Sequence, residues 1–99
     1  MRPTAAFKTL EDVGTFWYRE TVKTTAYFEA IRKRADRVVI DDAWIERAIQ
    51  APLREIVQAD GRIRRWAIIP EAQHRILRVV LLADGETVHN AFFDRGFKL

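Results

Sequence analysis

Gln58-Ala59-Asp60-Gly61-Arg62-Ile63-Arg64-Arg65-Trp66 is the stretch on which the fold turns. Asp-Gly supplies the positive φ that a two-residue type I′ hairpin turn requires, and here it separates two runs of apolar or alternating residues. A second pair, Asp84-Gly85, stands in the same setting. The two turns predict four strands, about 53–59, 62–69, 74–82 and 86–93, with a looser connection over 70–73. Such strands joined in order make an antiparallel meander.

Upstream of this region the apolar period is helical. Residues 9–20 read as a short helix, with Thr9 as a cap, Glu11 and Asp12 in the first turn, and Val13, Phe16 and Trp17 on one stripe. After a break at 21–25, a second helix is expected from Ala26 to about Lys33, with Tyr27 and Ile31 on one side. Val38, Val39 and Ile40 read as a brief extended run. Asp41 or Asp42 then caps a third helix over about 42–50, which presents Trp44, Ile45, Ala48 and Ile49 and ends at Pro52. The expected architecture is one α+β domain over residues 1–99. Its N-terminal helices (about 1–52) pack on one face of a C-terminal four-stranded antiparallel meander (about 53–93).

Composition removes several chemistries. Without cysteine there is no disulfide, thiolate nucleophile or cysteine-based metal site, and two histidines do not suggest a metal centre. Serine is absent, so a Ser-His-Asp triad is impossible. The four glycines form neither a P-loop nor a dinucleotide fingerprint, and no cofactor is expected. No apolar run reaches membrane-spanning length and the first residues do not read as a signal peptide, so a cytoplasmic location without membrane contact is expected. The net charge is only +3, but 13 of the 17 cations are arginine, the side chain suited to bidentate phosphate or carboxylate contacts. The cluster Arg32, Lys33, Arg34 reads either as a phosphate patch or as cations at a helix C-terminus.

The turns suggest a register. With Ala83 opposite Glu86, Val80 faces His89, Arg78 faces Ala91 and Leu77 faces Phe92. Leu77, Val79, Leu81, Val88 and Phe92 then form the core face. With Ala59 opposite Arg62 and Ile69 opposite His74, the other face gathers Arg54, Gln58, Arg65, His74, Arg78 and His89. A slip of one residue at the middle turn brings Arg64 and Trp66 to that face in place of Arg65.

An Arg/His face of this kind meets the minimum for metal-independent RNA cleavage. Histidine serves as base or acid, and arginines stabilise the charge developing on phosphorus. His89, Arg78 and either Arg64 or Arg65 are the candidate catalytic residues. Arg54, Arg62, Trp66 and Arg95 are candidate nucleic-acid contacts. Plainer roles compete: His89 as a half-exposed histidine with a structural hydrogen bond, Arg78 paired with Glu71, Glu86 or Asp94, and Trp66 in the core. A non-catalytic module binding protein or nucleic acid uses the same arginines, and a homodimer burying Phe92 or Phe93 is a third possibility.

The order of elements over about residues 26–95, with a helix ending at Pro52 and a meander bearing Arg62, Arg64, Arg65, Arg78 and His89, resembles the small RelE-like and BrnT-like toxin ribonucleases of bacterial toxin-antitoxin modules. Residues 60–66 and 87–95 are also similar to segments of a group of short bacterial proteins. The toxin resemblance implies a compact α+β fold, metal-free cleavage of mRNA, and a cognate antitoxin that masks the basic face.

Overall fold

A computed structural model describes residues 22–98. The helix expected over 9–20 lies outside the described residues. Two helices, α1 (Ala26–Ile31) and α2 (Asp42–Gln50), precede four strands: β1 (Arg54–Val57), β2 (Ile63–Ile69), β3 (Arg75–Leu81) and β4 (Val88–Phe93). The strands form one antiparallel sheet in the order β1-β2-β3-β4.

Each helix begins at a side chain that satisfies an otherwise unpaired N–H group. Asp41 Oδ1 accepts from Ala43 N at 3.0 Å to start α2. Thr25 Oγ1 accepts from Phe28 N at 3.1 Å to start α1. That helix stops at Ile31, short of the expected Lys33, and Arg32 turns back over the Phe28 ring and pairs with Asp42 and Glu29. The cation therefore ties α1 to α2.

Val38, Val39 and Ile40 do not form the expected extended run. Val38 N donates to Arg34 O at 2.8 Å and Ile40 N to Arg37 O at 3.0 Å, a turn that satisfies the backbone locally. The free edge of β4, which such a run would need, is occupied elsewhere: Thr24 bridges Val88 in parallel, with Val88 N donating to Lys23 O and Thr25 N to Val88 O. An unpaired extended triplet would leave its N–H and C=O groups without partners.

α2 packs on β2 and β3, and α1 on β4. Ile45 and Ala48 of α2 meet Ala67, Ile69, Leu77 and Val79 in a core completed by Phe28, Leu81, Val88 and Ala91. Each fully buried Leu, Ile or Val contributes roughly 1.5–3 kcal/mol of transfer free energy. Leu77, Val79, Leu81 and Val88 take the core positions expected of them.

The turns are not the two-residue type I′ turns expected. Type I′ needs positive φ at both central residues, yet Gly61 (φ 91°) and Gly85 (φ 75°) adopt it while Asp60 and Asp84 do not. In the first hairpin Gln58 N donates to Arg62 O at 2.7 Å and Gly61 N to Gln58 O at 2.9 Å, a loop of three residues instead of two. Asp60 Oδ1 holds it by accepting from Arg62 N at 3.0 Å. In the last hairpin the loop has four residues, closed by Leu82 N to Thr87 O, and Asp84 Oδ1 accepts from both Glu86 N and Thr87 N. The middle connection is a 3-10 turn, Pro70–Ala72, followed by Gln73 and His74 in left-handed conformation.

These loop lengths move the register by one residue in two places. Val57 faces Ile63, and Ile69 faces Arg75 where His74 was expected. The third change lies inside β4. Leu81 faces Val88 as the expected register requires, but Val80 then faces Asn90, so His89 is an extra, bulged residue. Beyond it Arg78 faces Phe92 and Leu77 faces Phe93. Phe93, not Phe92, packs against the core, and Ala91 is fully buried beside Val79.

Candidate nucleic-acid interface

Parity set by the observed register places Arg54, Arg64, Trp66, Arg78 and Phe92 on the sheet face away from α2. Residues 94–98 fold back across it. Asp94 Oδ2 accepts from Trp66 Nε1 at 2.9 Å and pairs with Arg78 at 3.2 Å. The Phe97 ring lies 5.4 Å from Trp66, and the Arg54 guanidinium sits 4.8 Å from the centre of Phe97 while donating to Lys98 O. Arg78 also lies over Phe92 at 4.8 Å, and Arg37 over the same ring at 5.4 Å. Rings and guanidiniums thus interleave along the face, in the order Arg54, Phe97, Trp66, Arg78, Phe92, Arg37.

The residues expected to share one catalytic face are divided. Arg65 is on the α2 side, where Nε donates to Glu55 at 2.6 Å and Nη1 to Ile49 O at 2.8 Å. Arg64 reaches the open face, in line with the slipped register, and donates to Gln58 Oε1. The bulge turns His89 to α1, where its Nδ1 lies 3.1 Å from Thr25 Oγ1 and its ring stacks on Tyr27 at 4.8 Å. Thr25 Oγ1 also accepts from Phe28 N, so the contact with His89 braces the cap of α1. Arg78 is paired with Asp94, and Trp66 is buried at 4% exposure beneath the returning segment. Arg62 stays at the first turn beside Asp60. Phe92 is half-buried under Arg37 and Arg78, and Phe93 under Arg75.

A different constellation assembles at the far end of β3 and β4. A cleft of about 460 Å³ is lined by Asp36, Arg37, His74, Arg75, Ile76, Phe92, Phe93, Asp94, Arg95 and Phe97. Arg75 lies 4.0 Å over Phe93, positioned by its Nε donating to Ala72 O. Arg37 donates from Nη1 to Asn90 Oδ1 at 2.9 Å, while its buried Nε has only Asp36 near it, at 3.4 Å. Asp94, which also lines the cleft, is engaged by the Trp66 N–H, the Gly96 N–H and Arg78, which together hold its carboxyl below the usual carboxylate range. Three guanidiniums, an exposed histidine and three phenyl rings therefore border one concave space.

Of this set, Arg95 was expected to contact nucleic acid, and His74 was expected on the open face. Arg37, Arg75 and the phenylalanines were not singled out together, although the run 92–97, Phe-Phe-Asp-Arg-Gly-Phe, carries three rings and a cation within six residues. Among the described residues no three His, Asp or Glu side chains gather where they could hold a metal ion, and no helix is long and apolar enough to cross a membrane. No family model, curated protein or solved structure matches the chain.

Proposed function

We propose that this protein binds single-stranded RNA, seating it in the cleft between Arg37, Arg75 and Arg95. The observation that carries the reading is the joining of three guanidiniums and three phenyl rings around one cleft of nucleotide dimensions. Single-stranded nucleic acid is held by this pairing of chemistries: cations track the phosphates, and rings offer sequence-tolerant stacking. Anisotropy of a labelled oligoribonucleotide tests it. With three phosphates engaged, affinity should fall about tenfold or more between 50 and 200 mM salt, and Arg75→Ala or Arg95→Ala should weaken binding and flatten the salt dependence. Duplex RNA binding equally well, or an affinity indifferent to both arginines, would sink the reading.

One observation favours a second, catalytic reading. His74 stands at the cleft with φ 59°, a conformation uncommon outside glycine, amid the three arginines. As a metal-independent endoribonuclease of toxin type, the protein would use His74 to take the 2′-hydroxyl proton. The freed oxygen would attack phosphorus, the bond to the 5′-oxygen would break, and the leaving oxygen would take up a proton, giving a 2′,3′-cyclic phosphate and a 5′-hydroxyl. A cognate antitoxin would then mask this cleft. RNA left intact by the protein in the presence of a chelator, at concentrations where the cleft is filled, would exclude this reading while leaving the binding one in place.

A further inference from the structure

Phe97 lies between two groups that both favour a flat π system. The Trp66 ring is 5.4 Å from it at an interplanar angle of 36°, and the Arg54 guanidinium is 4.8 Å from its centre. An indole and a guanidinium arranged around one ring make a slot whose chemistry suits a nucleobase. Phe97 also borders the cleft, so the slot adjoins it.

The ring occupying the slot is carried by a short turn at the end of β4. Asp94 N donates to Ile76 O, and Asp94 Oδ1 accepts from Gly96 N, which closes the turn. Beyond Gly96, Lys98 O accepts from Arg54, and Phe97 is held through its ring contacts with Trp66 and Arg54. The Trp66 wall is fixed within β2 with its N–H bonded to Asp94, while the Arg54 wall is an exposed side chain of β1 that reaches over the ring and bonds Lys98 O.

We propose that the space between Trp66 and Arg54 is a nucleobase-stacking subsite, with Phe97 as an internal placeholder that a base of the bound strand displaces. The subsite rests on the single-stranded RNA reading, since it extends that strand's path by one base beyond the cleft. It names the part of the ligand recognised there: a planar base, held by stacking and a cation–π contact without demand on sequence.

The probe is adenosine, which carries no phosphate and so makes no call on Arg37, Arg75 or Arg95. Its affinity is measured by calorimetry for the wild type and for Phe97→Ala, with circular dichroism to verify folding. Phe97→Ala should bind adenosine at least tenfold more tightly than the wild type, and Arg54→Ala introduced into that variant should remove most of the gain. Should Phe97→Ala not fold, Phe97→Leu, which keeps apolar cover on Trp66 but loses the flat ring, takes its place with the same readout. No gain in the variant that folds, or a gain indifferent to Arg54, overturns the subsite. Failure of the wild type to bind an oligoribonucleotide overturns the parent reading instead, and the two failures are read in separate titrations.

Discussion

Trp66 and Asp94, 28 residues apart in sequence, meet through a 2.9 Å hydrogen bond from the indole N–H to a carboxylate that also pairs with Arg78. The carboxylate is 12% exposed, so its removal strands a buried donor and a mostly buried cation together. Asp94→Ala should destabilise the fold by about 2–3 kcal/mol, read from urea denaturation at neutral pH. The Trp66 N–H, more than Arg78, depresses its pKa, and the folded value lies below the unfolded one. The stabilisation is therefore complete above the ordinary aspartate range and is lost as pH falls through the folded value. The stability gap between wild type and Asp94→Asn should narrow below about pH 4. A gap that stays constant into strong acid would contradict the assignment.

Glu71 offers a second titration with the same sign. Both Nη nitrogens of Arg47 bond its carboxylate, at 3.0 and 2.9 Å, and they are the main reason its pKa falls to about 2 from 4.5. In Arg47→Ala the Glu71 carboxyl carbon, followed by NMR across the acid range, should titrate close to an ordinary glutamate. An unmoved midpoint would mean that the pair does not persist in solution.

The two histidines should separate cleanly. His89→Ala should leave RNA affinity and any cleavage within about twofold of wild type, because the ring caps α1 through Thr25 away from the cleft. His74→Ala should retain affinity, and should abolish metal-free cleavage if cleavage occurs. Loss of cleavage in His89→Ala with the fold intact would restore the Arg78-His89 site that the bulge separates.

Left-handed positions give opposite expectations on stability. Gly61 has φ 91°, and although a Cβ there would meet Ala83 at an ordinary 3.6 Å, the conformation itself is strained for any other residue. Gly61→Ala should cost about 1–2 kcal/mol. Gln73 holds φ 62° without being glycine, so Gln73→Gly should be neutral or stabilising by up to about 1 kcal/mol. Chemical denaturation of both variants checks the pair.

Local signals in the chain were read where their cause is local. Asp41 caps α2 as its short acceptor side chain before an apolar helical stripe requires, and Asp-Gly marks two reversals. The alternation in β3 put Leu77 and Val79 inside, because a strand one residue out of phase would bury Arg78 and expose both. The candidate site was less legible. Arg95 stood out by charge alone, whereas Arg37 and Arg75 converge on the cleft from a turn and a strand end distant in sequence.

The sequence by itself determined the helix-then-sheet order, the antiparallel meander and the apolar set that fills its core, since each follows from periodicity or from a side chain bonding its own backbone. Tertiary structure alone decided the lengths of the loop at Asp60-Gly61 and of the connection between Ile69 and Arg75, the bulge at His89, and hence which side chains share a face. The physical reason is parity: strand side chains alternate with period two, so one extra loop or bulge residue exchanges faces. The bulge sends Phe93 to the core and Phe92 to Arg78, and the longer turns exchange Arg65 for Arg64 and Trp66. The balance among these registers is struck by packing against α2 and by residues 94–98 returning over Trp66.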